Sequence, residues 1–307
     1  MITVAGFNTA VDRSIRIDAL LPGHVQRATH VTIHPSGKGL HVAQTIAALG
    51  EPVQLVGLIN AVHRQRIGEH LQKRGVLFHG VEISGELRSN LALREASGRV
   101  TEILDPGMMI DASARQQLVD TLFRWVENSR CVVMSGSLPM GFPDDAYAQW
   151  VRMLDLPCLV DASGSALHHA ADSGAHLLKP NRDEASELAG QPVTTIDDAV
   201  ALAANLHARG ISRPIVTLGE QGAVGFDGTD AWHASLVLDH HEHAVGSGDC
   251  FLAGVAVALA RGGDLGDALR LGVACGAANA KHEEIGYVDR HLVDELYPQV
   301  RLQRLGG

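Results

Sequence analysis

The chain has 307 residues, 46% of them hydrophobic and 20% charged, and a formal net charge of −10 with histidine neutral. That length holds two average domains, or one large α/β domain with an insertion, and enough apolar surface for a sizeable core. The acidic balance and the lack of a Lys/Arg block argue against a nucleic-acid or membrane-surface partner, so a small anion would need a local basic pocket.

An apolar run at 2–6 opens the chain and reads as a buried strand. The stretch 12–33 alternates instead, in "RSIRIDAL" and "VQRATHVTI". A helical pattern at 38–49, a strand at 53–59 and a helix at 64–74 follow. A second alternating stretch, 77–104, contains "VLFHGVEI", "SNLALREA" and "RVTEIL", with Ser-Gly turns at 84–85 and 97–98. Beyond it come a helix at 112–128, a strand at 131–135, a helix at 144–154 and strands at 158–161 and 176–179. Helices at 182–189 and 196–208, a strand at 215–218 and helices at 249–260 and 265–281 complete the pattern. Strands that are apolar throughout, alternating with amphipathic helices, predict an α/β fold with a parallel sheet covered on both faces. Ligands then bind along the edge where the strands end. The two alternating stretches predict antiparallel strands of a small separate sheet. They interrupt the α/β pattern, so they are insertions in one domain spanning 1–307. An exposed small sheet needs cover from a substrate cleft, another subunit or both.

The four cysteines, Cys131, Cys158, Cys250 and Cys275, lie in apolar stretches with no C-x-x-C spacing, which predicts buried free thiols in a reducing cytoplasm. "MITVAGFNTAVD" has no basic region followed by a long apolar core, and no apolar run reaches membrane-spanning length. "HHEH" at 240–243 invites a metal reading, since His241 and His243 would share one face of a strand. No Cys or carboxylate partner falls at a familiar zinc spacing, and a solvated segment is the expectation.

The functional question centres on "AVGSGDCFLAGVAVAL" at 244–259. Glycines before a helix let several N–H groups converge on one anion, and the helix start carries partial positive charge. A carboxylate beside such a nest, Asp249, suits phosphoryl transfer as the base for an acceptor hydroxyl. A plain N-cap is the other reading of that Asp. "SGKGLH" at 36–41 has no Ser or Thr after its Lys, so it is no Walker A loop, and no G-x-G-x-x-G closes the first strand.

"AVGSGDCFLAG" resembles the D-T-V-G-A-G-D-x-F-x-x-G signature of the ribokinase-like sugar kinases, and "PSGKGLHVAQTIAALG" at 35–50 resembles their G-G-K-G-x-N-x-A signature. "SGSLPMGFP" (135–143), "VDASGSAL" (160–167), "LKPNRDE" (178–184) and "VTLGEQGAVG" (216–225) follow in the family's order. The pattern is similar to the phosphofructokinase-B branch, which includes 1-phosphofructokinase and tagatose-6-phosphate kinase. The resemblance implies a three-layer α/β/α core with a β-lid, MgATP, and transfer to a sugar hydroxyl. It implies Asp249 as base, with Gly246, Ser247 and Gly248 as anion hole. It implies Asn181 and Glu184 as magnesium positions, acting through water, and a capped helix start is the alternative for this pair. It puts Lys179, Thr217, Gly219 and Gly222 on the nucleotide, with a solvated lysine and a strand-end turn as alternatives. It puts Asp12, Gly37, Lys38 and His41 on the sugar. Arg27, Arg88 and Ser137 would meet a phosphate already on the substrate.

The departures cluster on the sugar side: His41 replaces the family's Asn, Ser36 replaces a Gly, and Thr9 stands where Pro is common. The implied substrates are fructose 1-phosphate, tagatose 6-phosphate or fructose 6-phosphate. A kinase of an unphosphorylated sugar or nucleoside, or a catalytically silent sugar-phosphate sensor, are the alternatives. Lids in this family often pair, which implies a homodimer through the lid.

Overall fold

In the computed structural model, which describes residues 1–240 and 243–306, the apolar runs become strands of a parallel sheet. The chain runs β1 (Ile2–Ala5), β2 (Ala10–Ile17), β3 (His30–Ser36), α1 (Lys38–Ala48), β4 (Val53–Ile59), α2 (Arg64–Lys73), β5 (Val76–Glu82), β6 (Leu91–Glu95) and β7 (Val100–Ile103). It continues through α3 (Ala112–Val126), β8 (Cys131–Ser135), α4 (Ala146–Met153), β9 (Cys158–Asp161), α5 (Gly164–Ala170), β10 (Leu177–Leu178), α6 (Arg182–Ala189) and α7 (Ile196–Ala208). The last part is β11 (Ile215–Thr217), β12 (Ala223–Phe226), β13 (Ala231–Ser235), α8 (Ser247–Ala260), α9 (Leu265–Ala280), α10 (Arg290–Leu296) and β14 (Arg301–Arg304).

Six strands form the core sheet in the order β10-β9-β8-β1-β4-β5, every pair parallel. Every residue of β1, β4, β8 and β9 is buried, as strands covered on both faces must be. Alternate side chains on β1 face opposite layers. Thr3 meets Ser129, just past α3, while Gly6, one residue beyond the strand, abuts Gly39 of α1. Helices therefore lie on both faces, giving the three layers. Helix α8 packs between α1 and α9, and its run from Asp249 to Ala258 is buried throughout. An apolar surface on all sides is what such a central helix requires.

A second sheet, ordered β3-β2-β6-β7, stands apart from the core and is the lid. Its outer pairs are antiparallel, but β2 and β6 run parallel, contrary to the all-antiparallel expectation. The two strands come from separate insertions with α1 to β5 between them, so no hairpin constrains their direction. The predicted lid boundary at 77 also shifts. Residues 76–82 form β5, the parallel edge strand of the core sheet. Val76 and Val81 are buried while Leu77, Gly80 and Glu82 are exposed, so this edge strand is only partly covered. The strand expected at 215–218 pairs antiparallel with β12, in a third sheet ordered β11-β12-β13-β14.

All four cysteines are buried free thiols, and burial pushes Cys131 and Cys158 up to about 12. No described helix is long and apolar enough to cross a membrane. His241 lies outside the described residues.

The Gly6–Gly39 contact brings α1 against β1 at the point where the site loop begins. A Cβ on Gly39 would lie 2.2 Å from the Gly6 Cα, backbone that cannot swing away. Gly39→Ala should lower stability in denaturant unfolding by about 2 kcal/mol or more. Gly68, inside α2 with nothing within 4 Å of its virtual Cβ, should gain about 0.5–1 kcal/mol as Gly68→Ala.

Candidate active site

The chain before α8 has to turn sharply and still arrive with its N–H groups aimed outward. Gly246 makes that turn with φ +79°, the left-handed region, and it is the residue that caps α8. A Cβ there would lie 2.6 Å from the Gly286 nitrogen. Among the described residues no side chain caps this helix end. Asp249 is therefore not the N-cap but a first-turn residue, where the helix dipole favours its charge. Asn279, fully buried on α9, staples the turn. It donates to the Val245 carbonyl (2.8 Å) and Ser247 Oγ (3.0 Å), and its Oδ1 accepts from the Gly286 (2.7 Å) and Tyr287 (3.2 Å) amides.

Asp249 is 6% exposed, yet it lines a cleft of about 1410 Å³ that runs between the lid and the third sheet. That volume exceeds a usual single-ligand pocket of roughly 300–1,000 Å³, so it accommodates two reactants side by side. Asp249 Oδ2 lies 2.9 Å from His41 Nδ1. His41 Nε2 lies 3.2 Å from Ser36 Oγ, which donates to Asp12 Oδ2 at 2.6 Å. Asn90 Nδ2 donates to Asp12 Oδ1 at 2.8 Å. His41 thus uses both ring nitrogens on protein neighbours.

On the lid side Arg88 donates through Nε to the Asp105 carbonyl (2.8 Å), and its two Nη groups reach Ser137 Oγ (3.4 Å) and Asn90 Oδ1 (3.3 Å). Asn8 Nδ2 also donates to Ser137 Oγ at 3.0 Å. Arg27 sits on the exposed turn between β2 and β3, away from the cleft wall, because the long hairpin carries it past the rim. Gly37, at φ +118°, opens α1, and Lys38 follows it onto the cleft wall.

The opposite side gathers charge around Asp161, the last residue of β9. It is 1% exposed, and neither carboxylate oxygen accepts a hydrogen bond from the described residues. Lys38 Nζ stands 3.8 Å from one oxygen and Lys179 Nζ 3.4 Å from the other. The Asp161 charge holds the Lys38 ammonium above the ordinary lysine range. Lys179 also flanks the glycine turn, 3.9 Å from where a Cβ on Gly248 would stand. Asn181 and Glu184 form a capping box on α6: Asn181 Oδ1 accepts from the Glu184 amide at 3.0 Å, and Glu184 Oε2 from the Asn181 amide at 2.8 Å. Burial pushes the Glu184 carboxyl up. Asn181 lines the cleft, whereas Glu184 lies behind it. Thr217, Gly219 and Gly222 line its far end. Gly222 has a packing reason of its own, since a Cβ there would meet the Ala234 carbonyl at 2.0 Å.

Residues 5–289 match the family model described as pfkB family carbohydrate kinase. The chain belongs to the pfkB family. It is 28% identical over 308 residues to a 1-phosphofructokinase of Bacillus subtilis, covering 99% of this chain and 100% of that enzyme. Phosphofructokinase-2 from Escherichia coli, solved in complex with substrates and products, superposes with a TM-score of 0.91 at 26% identity over 97% of this chain and 98% of that one. The same enzyme in complex with fructose-6-phosphate gives 0.89 over the same shares, again at 26% identity. This pfkB protein is an ATP-dependent sugar kinase of phosphofructokinase type.

Sequence reasoning missed Asp161, Asn90 and Asn279. Asp161 carried a signal, a carboxylate closing a buried apolar strand at the ligand edge of the sheet. Asn279 carried none, being a single polar residue in the apolar second half of α9. The oxygen donors on this side fit magnesium: Asp161 is a buried carboxylate that accepts no hydrogen bond from the described residues, Asn181 lines the same cleft, and Glu184 lies behind it within electrostatic range of Asp161. Among the described residues no three His, Cys, Asp or Glu side chains cage a metal, so the ion would keep waters and share nucleotide phosphates.

Gly246→Ala should lose about 1–3 kcal/mol of stability in thermal unfolding, from left-handed strain together with the Gly286 clash. Ser247→Ala, which keeps the backbone and loses one bond from Asn279, should lose only about 1 kcal/mol.

Proposed function

We propose that this pfkB protein phosphorylates a hydroxyl of a ketohexose phosphate, with fructose 1-phosphate, tagatose 6-phosphate and fructose 6-phosphate as the candidates. The observation that carries the reading is Asp249 on the cleft wall at the start of α8, which no described side chain caps, between the lid and the nucleotide side. Asp249 takes the proton of the acceptor hydroxyl as its oxygen bonds to the γ-phosphorus. The bond from that phosphorus to the ADP oxygen breaks, and ADP leaves. Amides of Gly246, Ser247 and Gly248 hold charge on the transferring group, and Lys179 adds a cation beside them. Thr217, Gly219 and Gly222 line the nucleotide end, and Lys38 and Gly37 border the sugar. Magnesium, held through water near Asp161, Asn181 and Glu184, would neutralise nucleotide phosphates. Asp12 accepts sugar hydroxyls, and Arg88 with Ser137 receives the phosphate already on the sugar.

Support comes from the relatives: one is named 1-phosphofructokinase and a structural neighbour was solved with fructose-6-phosphate. The lid leaves Val31, Ile33 and Ile103 exposed, consistent with a homodimer through that sheet. A second reading, an unphosphorylated sugar, draws on Arg88 having three partners in the protein and Arg27 lying off the cleft.

Asp249→Asn should lower kcat by at least about 10²-fold with KM within a few-fold in a coupled ADP assay, and near-normal turnover would remove Asp249 from the chemistry. Arg88→Ala should raise KM for a sugar phosphate at least about tenfold, the loss of a charge-assisted pair. Unchanged KM together with turnover of free sugars would favour the second reading.

A further inference from the structure

Two departures from the family's loop pattern, Ser36 and His41, meet in one hydrogen-bonded series. It runs from Asp12 Oδ2 to Ser36 Oγ (2.6 Å), from Ser36 to His41 Nε2 (3.2 Å), and from His41 Nδ1 to Asp249 Oδ2 (2.9 Å). Both ends are carboxylates, which accept and do not donate when ionised. Three links need three hydrogens. Ser36 supplies one and a neutral imidazole one more. The series is complete only when His41 carries both ring protons, a cation between two carboxylates.

The ring sits in a built socket. His41 is 7% exposed and Ser36 1%. The Gly286 backbone covers the imidazole so closely that a Cβ there would lie 2.1 Å from its Cγ. Asn279 fixes the Gly286 amide, and Gln44 Nε2 donates to the Gly286 carbonyl at 2.5 Å. The charged and titratable groups around the ring are Asp249 on α8, Asp12 on β2, His34 on β3, Glu102 on β7 and His70 on α2. Glu284, on the covering loop, pairs with Arg74.

We propose that Ser36 and His41 form a positioning relay that joins the lid acid Asp12 to Asp249, with His41 held as an imidazolium. The inference rests on Asp249 as the base. His41 Nδ1–H fixes Asp249 Oδ2 and leaves Oδ1 to accept the hydroxyl proton. The relay holds a proton in place and transfers none. Because Asp12 lies on β2 of the lid, the orientation of the base depends on where the lid sits. Neither ring nitrogen is left for the sugar, so His41 acts on turnover and not on affinity.

The test measures kcat and KM for the full chain and for Ser36→Ala, His41→Asn and Asp249→Asn. Nitrogen-15 spectra of the histidine rings accompany the kinetics, with His41 assigned by its loss in His41→Asn, and should show a proton on both of its ring nitrogens under assay conditions. Ser36→Ala should cut kcat about tenfold with KM within twofold, as for a misplaced reacting group. His41→Asn, which restores the family's amide, should keep measurable turnover. A neutral His41 ring under assay conditions overturns the relay. So does a KM rise at constant kcat in either relay variant. Near-normal kcat in Asp249→Asn would instead sink the base itself, whatever the His41 spectra record.

Discussion

A carboxylate that is nearly buried must have its charge answered, and the site is organised around doing so for Asp249. Three features meet this need. The start of α8 offers partial positive charge, His41 supplies a hydrogen bond at 2.9 Å, and the cleft leaves the group access to a reactant. None of the three survives without the backbone around Gly246 and Gly286: a Cβ on Gly246 would strike the Gly286 backbone, and one on Gly286 would strike the His41 ring. Asn279 holds that approach from below with four hydrogen bonds. A residue that is not itself on the cleft wall therefore fixes the turn that carries the acid.

The opposite wall of the cleft answers charge in another way. Asp161 is buried and accepts no hydrogen bond from the described residues, and two lysines stand at ion-pair distance. Such a group draws cations toward the strand ends, while the start of α8 draws anions toward the same cleft. Lys179 lies between the two, 3.4 Å from Asp161 and 3.9 Å from where a Cβ on Gly248 would stand. The lid brings a further acid, Asp12, and connects it through Ser36 and His41 to the middle of the site.

Much of this was legible along the chain. Uninterrupted apolar runs identify β1, β4, β8 and β9, since a strand buried on both faces has no polar side. The glycine turn and its acid were legible because both follow from neighbouring residues. The N-cap reading of Asp249 failed by three positions, a difference decided by where Gly246 enters the left-handed region. β5 was misread because a partly covered edge strand carries polar residues, His79 and Glu82, among its apolar ones, as a lid strand does. β12 to β14 were missed because they are four or five residues long, too short for their periodicity to stand out. Arg27 has the right chemistry for a phosphate, yet the reach of a hairpin cannot be read from its spacing.

The sequence by itself determined the alternation of strands and helices, the two lid insertions and the local chemistry of the turn at 246–249. Each depends on residues close along the chain, where periodicity and backbone preference act directly. Only the tertiary structure decided the partners: Asp161 with its two lysines, Asn279 under the turn, and the series from Asp12 to Asp249. Those contacts join residues as many as 208 positions apart, as His41 and Asp249 are. No local rule specifies such pairs, because they exist only once the layers have packed and set their distances.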